Sequence, residues 1–164
     1  MKILIREMKE ADWPFVNEIY RQGIATRNAT FETQIPDWIE WNEKHLKECR
    51  PVACSQNKIV GWAALSPVSK RYVYRGVAEV SLYVHEKYQG QGVGKFLLEK
   101  MVEASEKVGI WTLQASIFPE NKISINLHIK CGFREVGRRE KLGKLNEIWR
   151  DVVLLERRSV KAGV

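Results

Sequence analysis

Two hydrophobic periods run through this chain, one near two residues and one near 3.6. Residues 2–7, with Ile3, Leu4 and Ile5, read as a first strand. Residues 10–26 read as a helix whose apolar side is marked by Ala11, Phe15, Ile19 and Ile24, and Asp12 with Pro14 suits its first turn. Residues 28–33 form a loop or short extended piece. Residues 35–48 predict a second helix that opens near Pro36 and Asp37, shows Trp38, Trp41 and Leu46, and ends before Pro51. Residues 52–55 and 59–65, joined by Gln56 and Asn57, predict a hairpin. After a polar, basic connection over 66–75, residues 76–85 predict the central strand, with Glu79 as its one acid. Residues 93–108 place Val93, Leu97, Met101, Ala104 and Val108 on one helical face, and Gly109 stops the helix. A strand over 110–118, a short helix over 121–130 and two strands over 133–139 and 147–156 complete the chain, with a frayed tail after Arg158. The order is that of a single α/β domain with a mixed sheet.

Composition narrows the class. A chain of 164 residues with 45% hydrophobic content can bury a real core. No apolar run approaches a membrane span and no secretory signal opens the chain, so no membrane partner is expected. Cys49, Cys54 and Cys131 are too scattered for a disulfide framework, and a reducing cytoplasm suits them. His45, His85 and His128 form no metal-ligand spacing, so no metal is expected. The net charge of +7 comes from dispersed Lys and Arg rather than a basic stripe. That argues against nucleic acid and for an anionic cofactor and substrate.

The chemistry centres on the loop after the central strand. Gly90, Gly92 and Gly94 let backbone N–H groups crowd together beside a helix N-terminus, which makes a cradle for phosphate. A Walker A loop fails, because Gln89 replaces its first glycine and Phe96 its hydroxyl. A dinucleotide fingerprint fails, because Lys95 stands where its third glycine belongs. A glycine-rich turn that merely caps a helix remains open. A second motif is Asn121, Ser124, Leu127, His128, Gly132 and Phe133 at fixed offsets. Asn121 can bond a ligand or cap the helix. The other residues of this motif, His128 aside, suit packing and helix termination.

The two motifs together, in this order, resemble the GNAT superfamily of N-acetyltransferases. Within it, Ala29-Thr30-Phe31-Glu32, Ser66-Pro67, the run from Ala78 to Val84 and Leu127-His128 resemble the phosphinothricin and methionine sulfoximine acetyltransferases. The resemblance implies a central mixed, mostly antiparallel twisted sheet flanked by about four helices. It implies acetyl-CoA as cosubstrate, with Leu82, Tyr83 and Val84 along the pantetheine arm, Gln89, Gly90, Gln91, Gly92, Val93, Gly94 and Lys95 at the pyrophosphate, and Asn121 nearby. It places Glu79 at the catalytic position and leaves His128 to protonate the thiolate or touch substrate. A backbone N–H near Val84 is the expected oxyanion donor.

Partial burial is expected to raise the Glu79 carboxyl toward a useful range for a base. The alternative is an edge-strand acid paired with Arg or Lys. Thr30, Phe31, Arg71 and Arg75 are expected at the acceptor, whose carboxylate or phosphinate the guanidinium groups would match. The branch also implies a cytoplasmic homodimer, with Trp149 and the last strands as a candidate contact. The predicted reaction is direct acetyl transfer to the α-amine of a small amino-acid-like acceptor. Rival readings are another amine (protein N-terminus, polyamine, aminoglycoside) or a non-catalytic CoA-binding module.

Overall fold

The computed structural model describes residues 1–164. Its elements are β1 (Leu4–Glu7), α1 (Trp13–Ala25), α2 (Trp38–Lys44), β2 (Pro51–Ser55), β3 (Lys58–Pro67), β4 (Val77–Val84), α3 (Val93–Lys107), β5 (Thr112–Ile117), α4 (Lys122–Lys130), β6 (Arg134–Leu145) and β7 (Ile148–Arg158). Seven strands form one sheet in the order β1-β2-β3-β4-β5-β7-β6. Every neighbouring pair is antiparallel except β4 with β5. This is the mixed, mostly antiparallel sheet with four α-helices that the family resemblance implies.

Strand alternation sends successive β4 side chains to opposite faces. α3 packs on one face, where Leu97, Leu98 and Met101 are wholly buried. Each such side chain contributes roughly 1.5–3 kcal/mol of burial. α1 covers the other face with Val16, Ile19 and Tyr20. There Trp62 of β3 stacks on Tyr83 at 4.9 Å, and Trp41 of α2 meets Trp62 edge to face at 5.5 Å. The sheet interior is thus aliphatic on the α3 side and aromatic on the α1 side.

Several expectations need correction. Phe15 is exposed and the inward positions are its neighbour Val16 with Tyr20, because the face of α1 is set by the Trp62–Tyr83 stack. Val108 is likewise exposed, just past the end of α3. α2 is half the predicted length. Arg50 donates to the carbonyls of Asn42, His45 and Leu46, which satisfies the backbone where the helix stops. β6 runs on to Leu145 through bulges, because Asp151 of β7 bonds Arg138 and the Lys141 N–H across them. The tail does not fray. Ser159 N–H donates to Trp111 O at 2.8 Å, Ser159 Oγ donates to Glu106 at 2.8 Å, and Arg158 donates to the carbonyls of Ala162 and Gly163.

No helix is long and apolar enough to cross a membrane.

Candidate active site

β4 is hydrogen-bonded to β3 along its whole length, from Ala78 opposite Pro67 to Val84 opposite Gly61. Its pairing with β5 stops after Glu79 opposite Gln114. From Val80 onward one edge of β4 is open. His85 N–H donates to Val60 O at 2.9 Å, toward β3. The antiparallel alternation then turns the N–H groups of Leu82 and Val84 to the open edge. Unpaired donors already held in a strand can bind an extended amide chain or a developing oxyanion.

A cleft of about 240 Å³ occupies the split and is lined by Leu82, Asn121, Ser124, His128, Phe31 and Phe118 among others. A second cleft of about 520 Å³ lies toward α2 and includes Glu32, Glu40, Lys44, His45 and Tyr20. Thr30, Glu79, Ser81 and Tyr83 border both. The partly buried Glu79 therefore stands where the two clefts meet. Its Oε1 accepts from Ser116 Oγ at 2.7 Å and from Gln114 Nε2 at 3.1 Å. Both bonds go to one oxygen, so Oε2 is left to face an amine or water. The alternative of an acid neutralised by Lys or Arg does not hold, since Glu79 takes part in none of the chain's ion pairs.

The glycine loop fits a phosphate ligand. Gly90 and Gly92 have φ of 71° and 85°, with open space where a Cβ would sit. Gly92 is the N-cap of α3 and offers no side chain to its first N–H groups, which stay free for an anion. Gly94 has a packing reason instead: a Cβ there would lie 3.1 Å from Leu127 Cδ2 of α4. Val93 is buried under β2 and β3 rather than beside the loop's open face. Gln89 reaches back to Val84 O at 3.4 Å and Gln91 to Lys87 O at 3.0 Å, so both glutamines brace the loop. Lys95 lies 3.7 Å from Glu99 along the helix surface.

Other predicted residues divide. Leu82 and Val84 face α3 while Tyr83 faces α1, and Leu82 and Tyr83 both border the smaller cleft. Burial pushes the Tyr83 phenol well above its usual range and Tyr20 up to about 12, which keeps both neutral. Asn121 spends its amide on protein partners: Oδ1 accepts the Ser124 N–H of α4 and Nδ2 donates to Asn28 O, each at 3.3 Å. His128 is buried, and the Ser124 carbonyl at 2.7 Å requires the proton on Nδ1. Burial holds its imidazole below the ordinary range, against the lift from that carbonyl. A neutral Nδ1–H tautomer leaves Nε2 an acceptor. Thr30 and Phe31 do reach the clefts. Arg71 and Arg75 do not: Arg71 lies 5.3 Å over Tyr74, and Arg75 lies 4.2 Å over Tyr72 and 5.2 Å over Trp111. Arginine stacking on neighbouring aromatic rings, not local sequence, sets their direction.

Gln114, Ser116 and Ser81 escaped the sequence reading. Their signal was a polar residue at every second position of two strands whose other face is apolar. The wall of Glu32, Glu40 and Lys44 carried no such signal.

A family model described as the acetyltransferase (GNAT) family matches residues 6–133. A phosphinothricin N-acetyltransferase of Alcaligenes faecalis is 31% identical over 160 residues, covering 93% of this chain and 81% of that protein. A phosphinothricin acetyltransferase of the GNAT superfamily from Sinorhizobium meliloti, solved with acetyl-CoA, superposes with a TM-score of 0.89 at 26% identity over 99% of this chain and 91% of that one. A ribosomal-protein-alanine N-acetyltransferase from Brucella melitensis superposes with a TM-score of 0.88 at 28% identity, covering 95% and 99%. With the matched model spanning both the open strand edge and the glycine loop, the chain belongs to the acetyltransferase (GNAT) family and is an N-acetyltransferase.

Proposed function

We propose that this enzyme moves acetyl from acetyl-CoA to the α-amine of a small amino-acid-like acceptor of the phosphinothricin or methionine sulfoximine type. The observation that carries this reading is the place of Glu79 at the meeting of the two clefts, with one oxygen bound and the other open. The name of the Alcaligenes faecalis relative supports the acceptor class.

Bound along the β4 edge, acetyl-CoA supplies an activated thioester. The free N–H groups of Gly92 through Lys95 hold its diphosphate, and that of Leu82 its amide arm. Glu79 Oε2 takes the proton of the acceptor amine, directly or through one water. Val84 N–H then bonds the oxygen on which charge develops, at no cost in reorientation. His128 serves as a contact through Nε2 rather than as an acid, because its proton is committed to Ser124 O. With a thiol pKa near 8.5, the leaving thiolate does not need a protein proton at once. In the larger cleft Lys44, beside Glu40, suits the acceptor's carboxylate. No cysteine borders either cleft, so attack is direct, within a ternary complex.

CoA release is to be measured against phosphinothricin, methionine sulfoximine, a polyamine, an aminoglycoside and an alanyl peptide. Turnover on the first two supports the reading. The Brucella melitensis neighbour makes the peptide the leading rival, and preference for it would sink the acceptor class. A burst of CoA before any acceptor is added would sink the direct attack.

A further inference from the structure

Arg150 of β7 lines neither cleft, yet each of its partners belongs to something that does or adjoins it. Nη1 donates to Arg27 O at 2.8 Å, and Nη2 donates to Asn28 Oδ1 at 3.1 Å and Glu120 Oε2 at 3.2 Å. Its Cζ stands 3.9 Å over the ring of Phe118, which meets Phe31 edge to face at 4.9 Å. The carbonyl it grips belongs to a residue with φ of 55°, a left-handed conformation that Arg27 does not favour on its own. From the other side, Asn121 Nδ2 donates to Asn28 O at 3.3 Å. The next three residues, Ala29, Thr30 and Phe31, wall the smaller cleft, and Thr30 also borders the larger.

We infer that Arg150 is a positioning residue for the acceptor: it fixes residues 27–31 and so sets where Thr30 and Phe31 stand across from Glu79. A planar fork is needed. It reaches a carbonyl, an amide oxygen and a carboxylate while lying on an aromatic face, which one ammonium cannot do. Neither the open edge of β4 nor the glycine loop contacts it, so the backbone hydrogen bonds proposed to hold acetyl-CoA do not depend on it. The kinetic arm below rests on the proposed acceptor; the exchange arm does not.

Arg150→Met and Arg150→Lys are to be compared with wild type in full-length protein. With phosphinothricin as acceptor, the acceptor KM rises about tenfold while kcat and the acetyl-CoA KM move less than twofold, and Lys does not rescue. Without acceptor, deuterium uptake rises in residues 27–31 and not in α3. An unchanged acceptor KM, or a parallel rise in both KM values, overturns the inference. If Arg150→Met does not fold, Asn28→Ala, which removes one arm of the fork, replaces it with the same expected split. If wild type does not acetylate phosphinothricin, the proposed acceptor fails. Exchange then decides alone: a rise confined to 27–31 supports Arg150, and no rise overturns it.

Discussion

The proposed phosphate loop and the proposed acceptor side address the same task, holding a ligand, by different means. For the diphosphate we propose four consecutive residues, Gly92 through Lys95, that bind through their backbone N–H groups. The proposed acceptor side takes Thr30 from a loop, Glu40 from α2, Glu79 from β4, Ser116 from β5 and, behind them, Arg150 from β7. A backbone cradle depends on local conformation and on residue type. A side-chain wall depends on which distant segments happen to pair. The first resists change except at its glycines; the second can be retuned from many positions.

The largest expected effect tests the point where the two halves join. Glu79→Gln keeps shape and removes the base, so kcat should fall by roughly 100-fold or more with the acetyl-CoA KM unmoved. Unchanged turnover would take Glu79 out of the mechanism. Next, Gly92→Val forces a β-branched residue to a φ of 85°. The acetyl-CoA KM should rise about tenfold, with the acceptor KM steady; equal rises in both would blur the division. Ser116→Ala removes the 2.7 Å bond to Glu79 Oε1. A loss of about 1 kcal/mol of orientation corresponds to roughly fivefold in kcat, and no change would mean that Gln114 alone orients the carboxylate.

The smallest effect is on stability. His128 beside the smaller cleft and His45 beside the larger are both held below the ordinary imidazole range, chiefly by burial. A depressed folded pKa means that the unfolded chain takes up protons first. Stability is therefore complete above about pH 6.5 and is lost as pH falls below it toward the lower folded values. Melting curves between pH 7.5 and 5.5 should show a fall of a few degrees. His45→Gln and His128→Gln should each flatten it, and a pH-independent midpoint would contradict the burial argument.

The backbone of the proposed phosphate loop was legible in the chain. The resemblance of Gln89 to Gly94 rests on residues that need positive φ or a missing Cβ, and such demands print themselves on the sequence. Even so, Gln89, Gln91 and Asn121 turn out to brace loops and caps, because a polar side chain near a loop satisfies the nearest backbone group first. The acceptor half was poorly legible. Arg71 and Arg75 carried the right charge in the right interval and point elsewhere, held on Tyr74, Tyr72 and Trp111. The helical period places Phe15 on the apolar side while the structure buries Val16, because a single residue's rotation about α1 is decided by what the helix packs on.

The amino-acid sequence by itself determined the order of strands and helices, the apolar side of α3 and the glycine turn that opens it. Each follows from periodicity or backbone freedom within a few residues. Only the tertiary structure decided that β4 parts from β5 after Glu79, that a serine 37 residues away occupies one of its carboxylate oxygens, and that Arg150 braces Arg27 across 123 residues. Those contacts arise when a strand finds its partner, and a local pattern carries no record of which partner that is.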